Sequence, residues 1–525
     1  MSRFTCGFCP YAKSINYNLR RLLSGRMEKT MNKIKIGWSE VSIVPEGRRV
    51  DLVGQFYERI SGEVETPIAV SALAMECGDD HFVFVACDLP STSRKLLESV
   101  RAYLPEDCGF DKDKLIISAI HTHTSVGYAE RTDSFAGFTE LLHKMKPEHI
   151  NYVPLVHDDS ADIIRGEEAK QFLVERIAKA AMEAWANRAE GSYACGFGRA
   201  AVGLCRRVCY DDGSAKMWGD SNSANFTELE SGNDSGIELM FTYDANKKLT
   251  GVIANVACPA QVLEHQSFIS SDYMGKVRRN LQEKYGKDIG FLGLISPAGD
   301  MCPRDLIRWV DSPVCKNDPN INRETVIERR ADPSMFDIKG CELAAKRVTN
   351  EIVWALEDVT EYVSDTTIEH KNLKVDIPVR RVTIEEYNNA IKAVKEYFEK
   401  CEGDINYEDN AKLQIHNGII SRYEYQKTHD IYDIEVHVLR IGDVALATNP
   451  YELFLNYANQ IRARSLAKQT FLVQLCCGSY GYLPTEKAEK GSHYSAFVGS
   501  GTTGHQGGDV LVRKTLAEIN EMFKN

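Results

Sequence analysis

The stretch Leu115-Ile116-Ile117-Ser118-Ala119-Ile120-His121-Thr122-His123-Thr124 sets the reading of this chain. An apolar run of strand length stops at two histidines spaced two apart. Alternate side chains on a strand share a face, so His121 and His123 are expected to emerge together at a strand end, with Thr122 turned away. Two imidazoles leaving a buried strand suit a metal or a proton-transfer site. Two satisfied histidines at the edge of a core are the other reading, and this stretch alone leaves both open.

Other apolar runs end in polar residues too. Pro67 to Cys77 and His81 to Cys87 read as strands joined by Gly78-Asp79-Asp80, and the second ends in Asp88, placed to support a histidine or simply to turn the chain. A hairpin over Ile237 to Tyr243 and Leu249 to Ala257 runs into Cys258-Pro259-Ala260-Gln261, Glu264-His265 and Ile269-Ser270-Ser271-Asp272. Ser271-Asp272 also suits the start of a helix from Tyr273 to Tyr285, so capping weighs at least as much as chemistry for Asp272. Gly290 to Ile295 ends in Ala298-Gly299-Asp300-Met301-Cys302-Pro303. The backbone N–H groups of that turn suit an oxyanion, and Cys302 is either a presented nucleophile or an inert buried thiol. Val444 to Ala447 leads through Asn449-Pro450-Tyr451-Glu452 into a helix whose dipole favours Glu452. Arg206-Arg207 suits an anionic or carbonyl-bearing group, or else one buried ion pair beside a solvated side chain. Amphipathic helices are expected over Gln171 to Asn187, Cys341 to Leu356, Ile384 to Lys400 and Gly508 to Phe523. Polar groups collected at strand ends are how α/β sheets build sites. The expected fold is therefore α/β, with a mixed β-sheet core flanked by helices.

Composition narrows the classes. The 525 residues are 43% hydrophobic and 26% charged, enough for a large core. A net charge of −12 and the lack of a basic run with interleaved aromatics argue against a nucleic-acid surface. No apolar run reaches the ~18 residues of a membrane span. The 15 cysteines are odd in number and follow no framework, as expected of reduced thiols in a cytoplasmic protein. Residues 1–30 hold a CxxC at Cys6 to Cys9 without a preceding strand, and read as an extension or a mis-assigned start. Residues 31–525 read as one catalytic domain. Residues 128–166 and 312–335 are expected as surface excursions, the first a candidate lid.

Five of these motifs, in this order, resemble the neutral/alkaline non-lysosomal ceramidase family: the His121-Thr122-His123 segment, the strand into Cys258-Pro259 with Ser270-Ser271-Asp272, Ala298 to Pro303, Asn449 to Glu452, and Tyr482 through Tyr494. The resemblance runs from about Met31 to Asn525, corresponds to that family's N-terminal catalytic domain, and suggests a divergent, soluble, bacterial-type member. It implies a zinc-dependent amidohydrolase. The family's zinc ligands map to His121, Cys258, Glu452 and Tyr494. The second histidine of the HTH motif, which contacts the substrate carbonyl or its oxyanion, maps to His123. The substrate-contacting arginine maps to Arg206, with Arg207 adjacent, and the serine of the G-D-x-S-P turn maps to Cys302.

Two positions depart from the family. Cys258 stands where it has His, and Cys302 where it has Ser. A thiolate is a competent zinc ligand; His265 is the second choice for that position. The resemblance thus implies a zinc-activated water attacking an amide carbonyl, or Cys302 attacking first, with His123 and Arg206 stabilising the oxyanion and Asp300 and Asp272 orienting the site. Arg207, Gln261 and His265 are expected to contact the substrate, a small soluble N-acyl compound rather than membrane ceramide, and no membrane insertion is expected. The same motifs suit a zinc hydrolase of a glycoside or ester. The two cysteine replacements also suit a binding protein with a degenerate site.

Overall fold

The computed structural model describes residues 32–55, 58–128, 158, 160–310, 330–331, 337–400 and 407–524. The 1–30 extension, nearly all of the 312–335 excursion and most of the 128–166 excursion lie outside the described residues.

Eight long strands build the larger sheet. Their spatial order is Gly290–Ile295, Leu249–Val256, Asp234–Asp244, Ala189–Cys205, Asn32–Ser42, Ala69–Cys77, Asp80–Cys87, Leu115–Ala119. The pair at each end is parallel, and the pairs between are antiparallel. A second sheet runs Ile368–Pro378, Ile431–Ile441, Val444–Thr448, Gln469–Val473, with its last pair parallel. The strands expected from the sequence hold to within a few residues, because they are short apolar runs closed by Gly, Pro or Asp turns; Ala189–Cys205 and Ile368–Pro378 lack that signature and were not expected.

The sheets pack face to face. Leu73, Phe82, Phe84 and Met240 of the larger meet Leu446 and Phe471 of the smaller. Burying each such side chain contributes ~1.5–3 kcal/mol. Helix Gly166–Ala186 packs on Asn32–Ser42 and Ala69–Cys77, and helix His505–Phe523 packs on Ile368–Pro378 and Ile431–Ile441. The architecture is a helix–sheet–sheet–helix sandwich, the mixed α/β class expected.

Each parallel pair delivers two carboxyl ends to one region, and backbone hydrogen bonds tie those ends together. His121 N donates to Leu89 O, Ala260 N to Ile120 O, Ser296 N to Val256 O and Gln474 N to Ile295 O. Asn449 N donates to Val473 O, and Ala119 N to Leu475 O. The chain segments leaving both sheets are thus fixed to one another, and the candidate site is built on this seam.

Candidate active site

The Leu115–Ala119 strand ends before the histidines. His121 adopts a left-handed backbone, φ 69°, a conformation that costs a non-glycine residue about 1–3 kcal/mol. The strand alternation expected to pair the imidazoles is therefore absent; the turn at His121 pairs them instead. Their ring centroids lie 4.8 Å apart at 78°, while Thr122 Oγ1 is turned away and donates to Ser270 O.

The tautomer of His121 follows from its partner. Its Nδ1 lies 2.6 Å from Pro90 O, and a carbonyl only accepts, so Nδ1 carries the hydrogen and a neutral ring leaves Nε2 bare. That Nε2 faces Glu452 Oε2 at 3.3 Å and His123 Nε2 at 3.4 Å. A bare Nε2 and a carboxylate oxygen are both acceptors, so the His121–Glu452 contact needs a proton or a cation in it. Two ligands of a tetrahedral zinc, each about 2.0–2.1 Å from it, lie roughly 3.3 Å apart. The His121–Glu452 spacing fits a proton shared by the two, and it also fits a zinc ion. Without one, burial lowers the His121 pKa, but the Glu452 charge and hydrogen bond outweigh it and the net shift is upward. Burial raises the Glu452 carboxyl, yet His121, Arg206 and a hydrogen bond from Tyr482 hold it below its usual range.

Glu452 does not stand in a helical turn. Glu452–Leu453 is a two-residue strand paired in parallel with Tyr482–Leu483, and the helix begins at Leu455. Gly299 packs against it: a Cβ there would lie 2.3 Å from Glu452 O. Arg206 closes this side. It is buried, donates from Nη2 to Gly299 O at 2.9 Å and Tyr482 Oη at 3.3 Å, and leaves Nε buried without a hydrogen-bond partner. Tyr494 Oη is hydrogen-bonded to Tyr482, and Glu452 and Arg206 are among the charges that act on it.

On the other side, His123 Nδ1 lies 3.4 Å from Glu264 Oε2. Gln261 Nε2 donates to that same oxygen at 2.8 Å. Burial, then His121, Arg59 and Arg206, push His123 well below the usual imidazole range, so it is neutral at pH 7. Gly54, at φ 124°, allows the ring its place: a Cβ there would lie 2.3 Å from His123 Cγ. His123 Nδ1 and Gln261 Oε1, like Arg206 Nε, are buried without a hydrogen-bond partner. Buried polar atoms are rarely left so unless a ligand or water completes them.

Solved structures share this architecture. Neutral ceramidase from Pseudomonas aeruginosa matches 93% of this chain and 74% of its own, with a TM-score of 0.61 at 15% identity. The fold is that of neutral ceramidase. A ceramidase complexed with C2 matches with a TM-score of 0.63 at 14% identity, over 94% of this chain and 75% of that one. No protein-family model matches the chain, and no curated protein does. The resemblance carried by five short motifs thus extends through most of the chain as a ceramidase fold. Among the described residues no helix is long and apolar enough to cross a membrane.

Within the ceramidase fold, the remaining expected residues occupy different places. Arg207 is not at the site. Its side chain is fully buried in an ion pair with Glu230, Nε to Oε2 2.6 Å, and it donates to the carbonyls of Ser492 and Tyr494. It clamps the Tyr494 segment, where Ser492, His493 and Ser495 all have left-handed φ. Of the paired arginines, one is the buried ion pair and the other faces the site; neither is solvated.

Cys258 is buried in an apolar core and donates to Pro259 O at 3.6 Å. Its thiol is pushed well up by burial and then by Cys302 and Asp272, and nothing places it against His121 or Glu452. Cys302 is also buried, donates to Arg304 O at 3.4 Å, and has its thiol pushed up to about 12. The turn beside it is not an open oxyanion hole. Gly299 N donates to Leu453 O and Met301 N to Ala298 O. Asp300 accepts from Leu455 N at 2.8 Å, and its carbonyl accepts from Arg206 N, so it positions rather than contacts. Asp272 opens its helix at φ 54° and accepts from Leu263 N and Tyr273 N, pinning the loop after Cys258. His265 Nε2 lies 3.7 Å from Glu264 Oε1. Asp88 pairs with Arg278 at 2.8 Å and leaves His121 to Pro90.

Three contributors were not read as site residues. Glu264 sits beside His265 in a cluster that was visible. Tyr482 lies within a quoted motif. Arg59, which donates to Glu264 O at 2.8 Å and Gln266 O at 2.7 Å, gives no local signal at all.

Proposed function

We propose that residues 31–525 form one catalytic domain, a zinc-dependent hydrolase that cleaves the amide bond of a small soluble N-acyl compound. One observation carries this reading: the bare Nε2 of His121 faces Glu452 Oε2 and His123 Nε2 at 3.3 and 3.4 Å, in a buried seam with unpaired polar atoms on both sides. His121 and Glu452 would hold the ion, with Tyr494 beside Glu452 as a third oxygen donor. Cys258 or His265 would join only after a side-chain rearrangement. When bound, zinc supplies a Lewis acid that acidifies water and polarises a carbonyl.

The chain's own residues supply the rest. His123 is neutral and accepts a proton at Nε2, with Glu264 beside its Nδ1 to favour the charged ring that results. Arg206, whose Nε is buried without a hydrogen-bond partner and whose charge acts on Glu452, stabilises negative charge developing on the substrate oxygen. Burial pushes the Cys302 thiol up to about 12, which favours water over the thiol as nucleophile. Free thiols at every described cysteine fit a cytoplasmic setting.

Zinc content should be measured on protein purified without chelator, beside hydrolysis of a panel of N-acyl amides, esters and glycosides. Amide turnover that falls with zinc removal and returns with zinc supports the reading. Turnover confined to esters or glycosides moves the substrate class. A second reading, a binding protein with a degenerate site, rests on Cys258, which is buried with its thiol pushed well up. Protein without zinc, inactive on all three classes, would establish it.

A further inference from the structure

A second group of metal-type donors lies on the smaller sheet. Glu435, His437 and Cys477 are buried, and their ligand atoms lie within 4.8 Å of one another, the one such trio among the described residues. Cys477 reaches this place through a left-handed backbone, φ 57°, just beyond the Gln469–Val473 strand.

The hydrogen count of this cluster is short by one. His370 Nδ1 lies 3.2 Å from His81 O, so it carries a hydrogen. His370 Nε2 lies 2.8 Å from His437 Nδ1, which requires one hydrogen between the rings. His437 Nε2 lies 2.8 Å from Glu435 Oε1, which requires a third. Glu435 is ionised, since Arg101 donates to both its oxygens at 2.7 and 3.1 Å. Two neutral imidazoles own two N–H hydrogens. The third position must hold an extra proton or a cation.

We infer that Glu435, His437 and Cys477 bind a divalent cation of the zinc class as a second, structural site. Imidazole, carboxylate and thiolate together select such an ion over calcium or magnesium. His370 then holds His437 in the tautomer that presents Nε2, and Arg101 holds the carboxylate, the outer support that metal ligands require. Loading balances: one divalent ion enters, and the extra proton and the Cys477 thiol proton leave. The buried net charge is unchanged, so the neighbouring Arg101 guanidinium does not oppose binding. This inference does not rest on the hydrolase reading, because none of its ligands is a residue proposed to act in hydrolysis.

Cobalt(II) is the probe. Chelator-stripped Cys258→Ala protein, which lacks the other candidate thiolate, is titrated with cobalt. The expected result is a thiolate-to-cobalt charge-transfer band that is lost when Cys477→Ser is added and the far-ultraviolet circular dichroism is unchanged. No band, or a band that survives Cys477→Ser, overturns the site. Should Cys477→Ser not fold, X-ray absorption on zinc-loaded Cys258→Ala protein decides. A sulfur scatterer at about 2.3 Å supports the site, and its absence overturns it.

Discussion

His121 and Glu452 reach each other from different sheets, with Nε2 and Oε2 3.3 Å apart. One follows the edge strand of the larger sheet, and the other follows Val444–Thr448 of the smaller. Replacing the carboxylate by an amide removes the charge that offsets burial of His121. Glu452→Gln is expected to lose the zinc and to lower amide turnover by more than the ~10–100-fold that follows loss of an outer partner alone. It should also drop the His121 pKa in metal-free protein, because the Glu452 charge is what raises it. Elemental analysis and histidine NMR titration check both.

Cys302 tests the identity of the nucleophile. Its thiol is pushed up to about 12, chiefly by burial, and donates to Arg304 O. A thiol so protonated attacks poorly. Cys302→Ala should keep turnover within about tenfold, since a general contact rather than a covalent step is removed. A loss beyond a thousandfold, or an acyl adduct on the wild-type thiol by mass spectrometry, would establish thiol attack instead.

The fold was legible where one rule acted alone. Apolar runs closed by Gly, Pro or Asp gave Gly290–Ile295 to the residue and the Leu249–Val256 hairpin nearly so. The site was legible as a set of strand ends, because His121, Asp300 and Glu452 each follow one. What the seam does with each side chain was not. Arg206 and Arg207 are adjacent and alike, and only the position of Glu230, 23 residues beyond Arg207, sends one into an ion pair and leaves the other at the site. Glu452 sits before a helix, and its pairing with Tyr482 is a contact no local pattern records. Arg59 acts through carbonyls more than 200 residues away.

Arg207 separates stability from chemistry. It is wholly buried against Glu230 and holds the backbone of the Tyr494 segment. Removing one partner leaves a buried charge unpaired, at about 3–5 kcal/mol. Arg207→Met should lower unfolding free energy in urea by that amount. Zinc held by His121 and Glu452 should be retained but more weakly, since Arg207 touches neither of them yet holds the segment that carries Tyr494.

Asp272 gives a pH dependence with a defined sign. Burial raises its carboxyl from 3.8 to about 6, against the backbone hydrogen bonds from Tyr273 and Leu263 that favour the anion. Between those values the folded state binds more protons at this position than the unfolded state. Unfolding free energy therefore falls as pH rises through that window, by about 3 kcal/mol at 1.36 kcal/mol per unit, and is flat above it for this group. Asparagine tolerates the left-handed backbone that Asp272 adopts, φ 54°, and carries no charge to desolvate. Urea unfolding of wild type and Asp272→Asn at intervals from pH 4 to 7 should show the two curves diverging in favour of the variant as pH rises. Parallel curves would mean that the carboxyl ionises in the fold as easily as in the unfolded chain, and that the N–H groups of Leu263 and Tyr273 outweigh its burial.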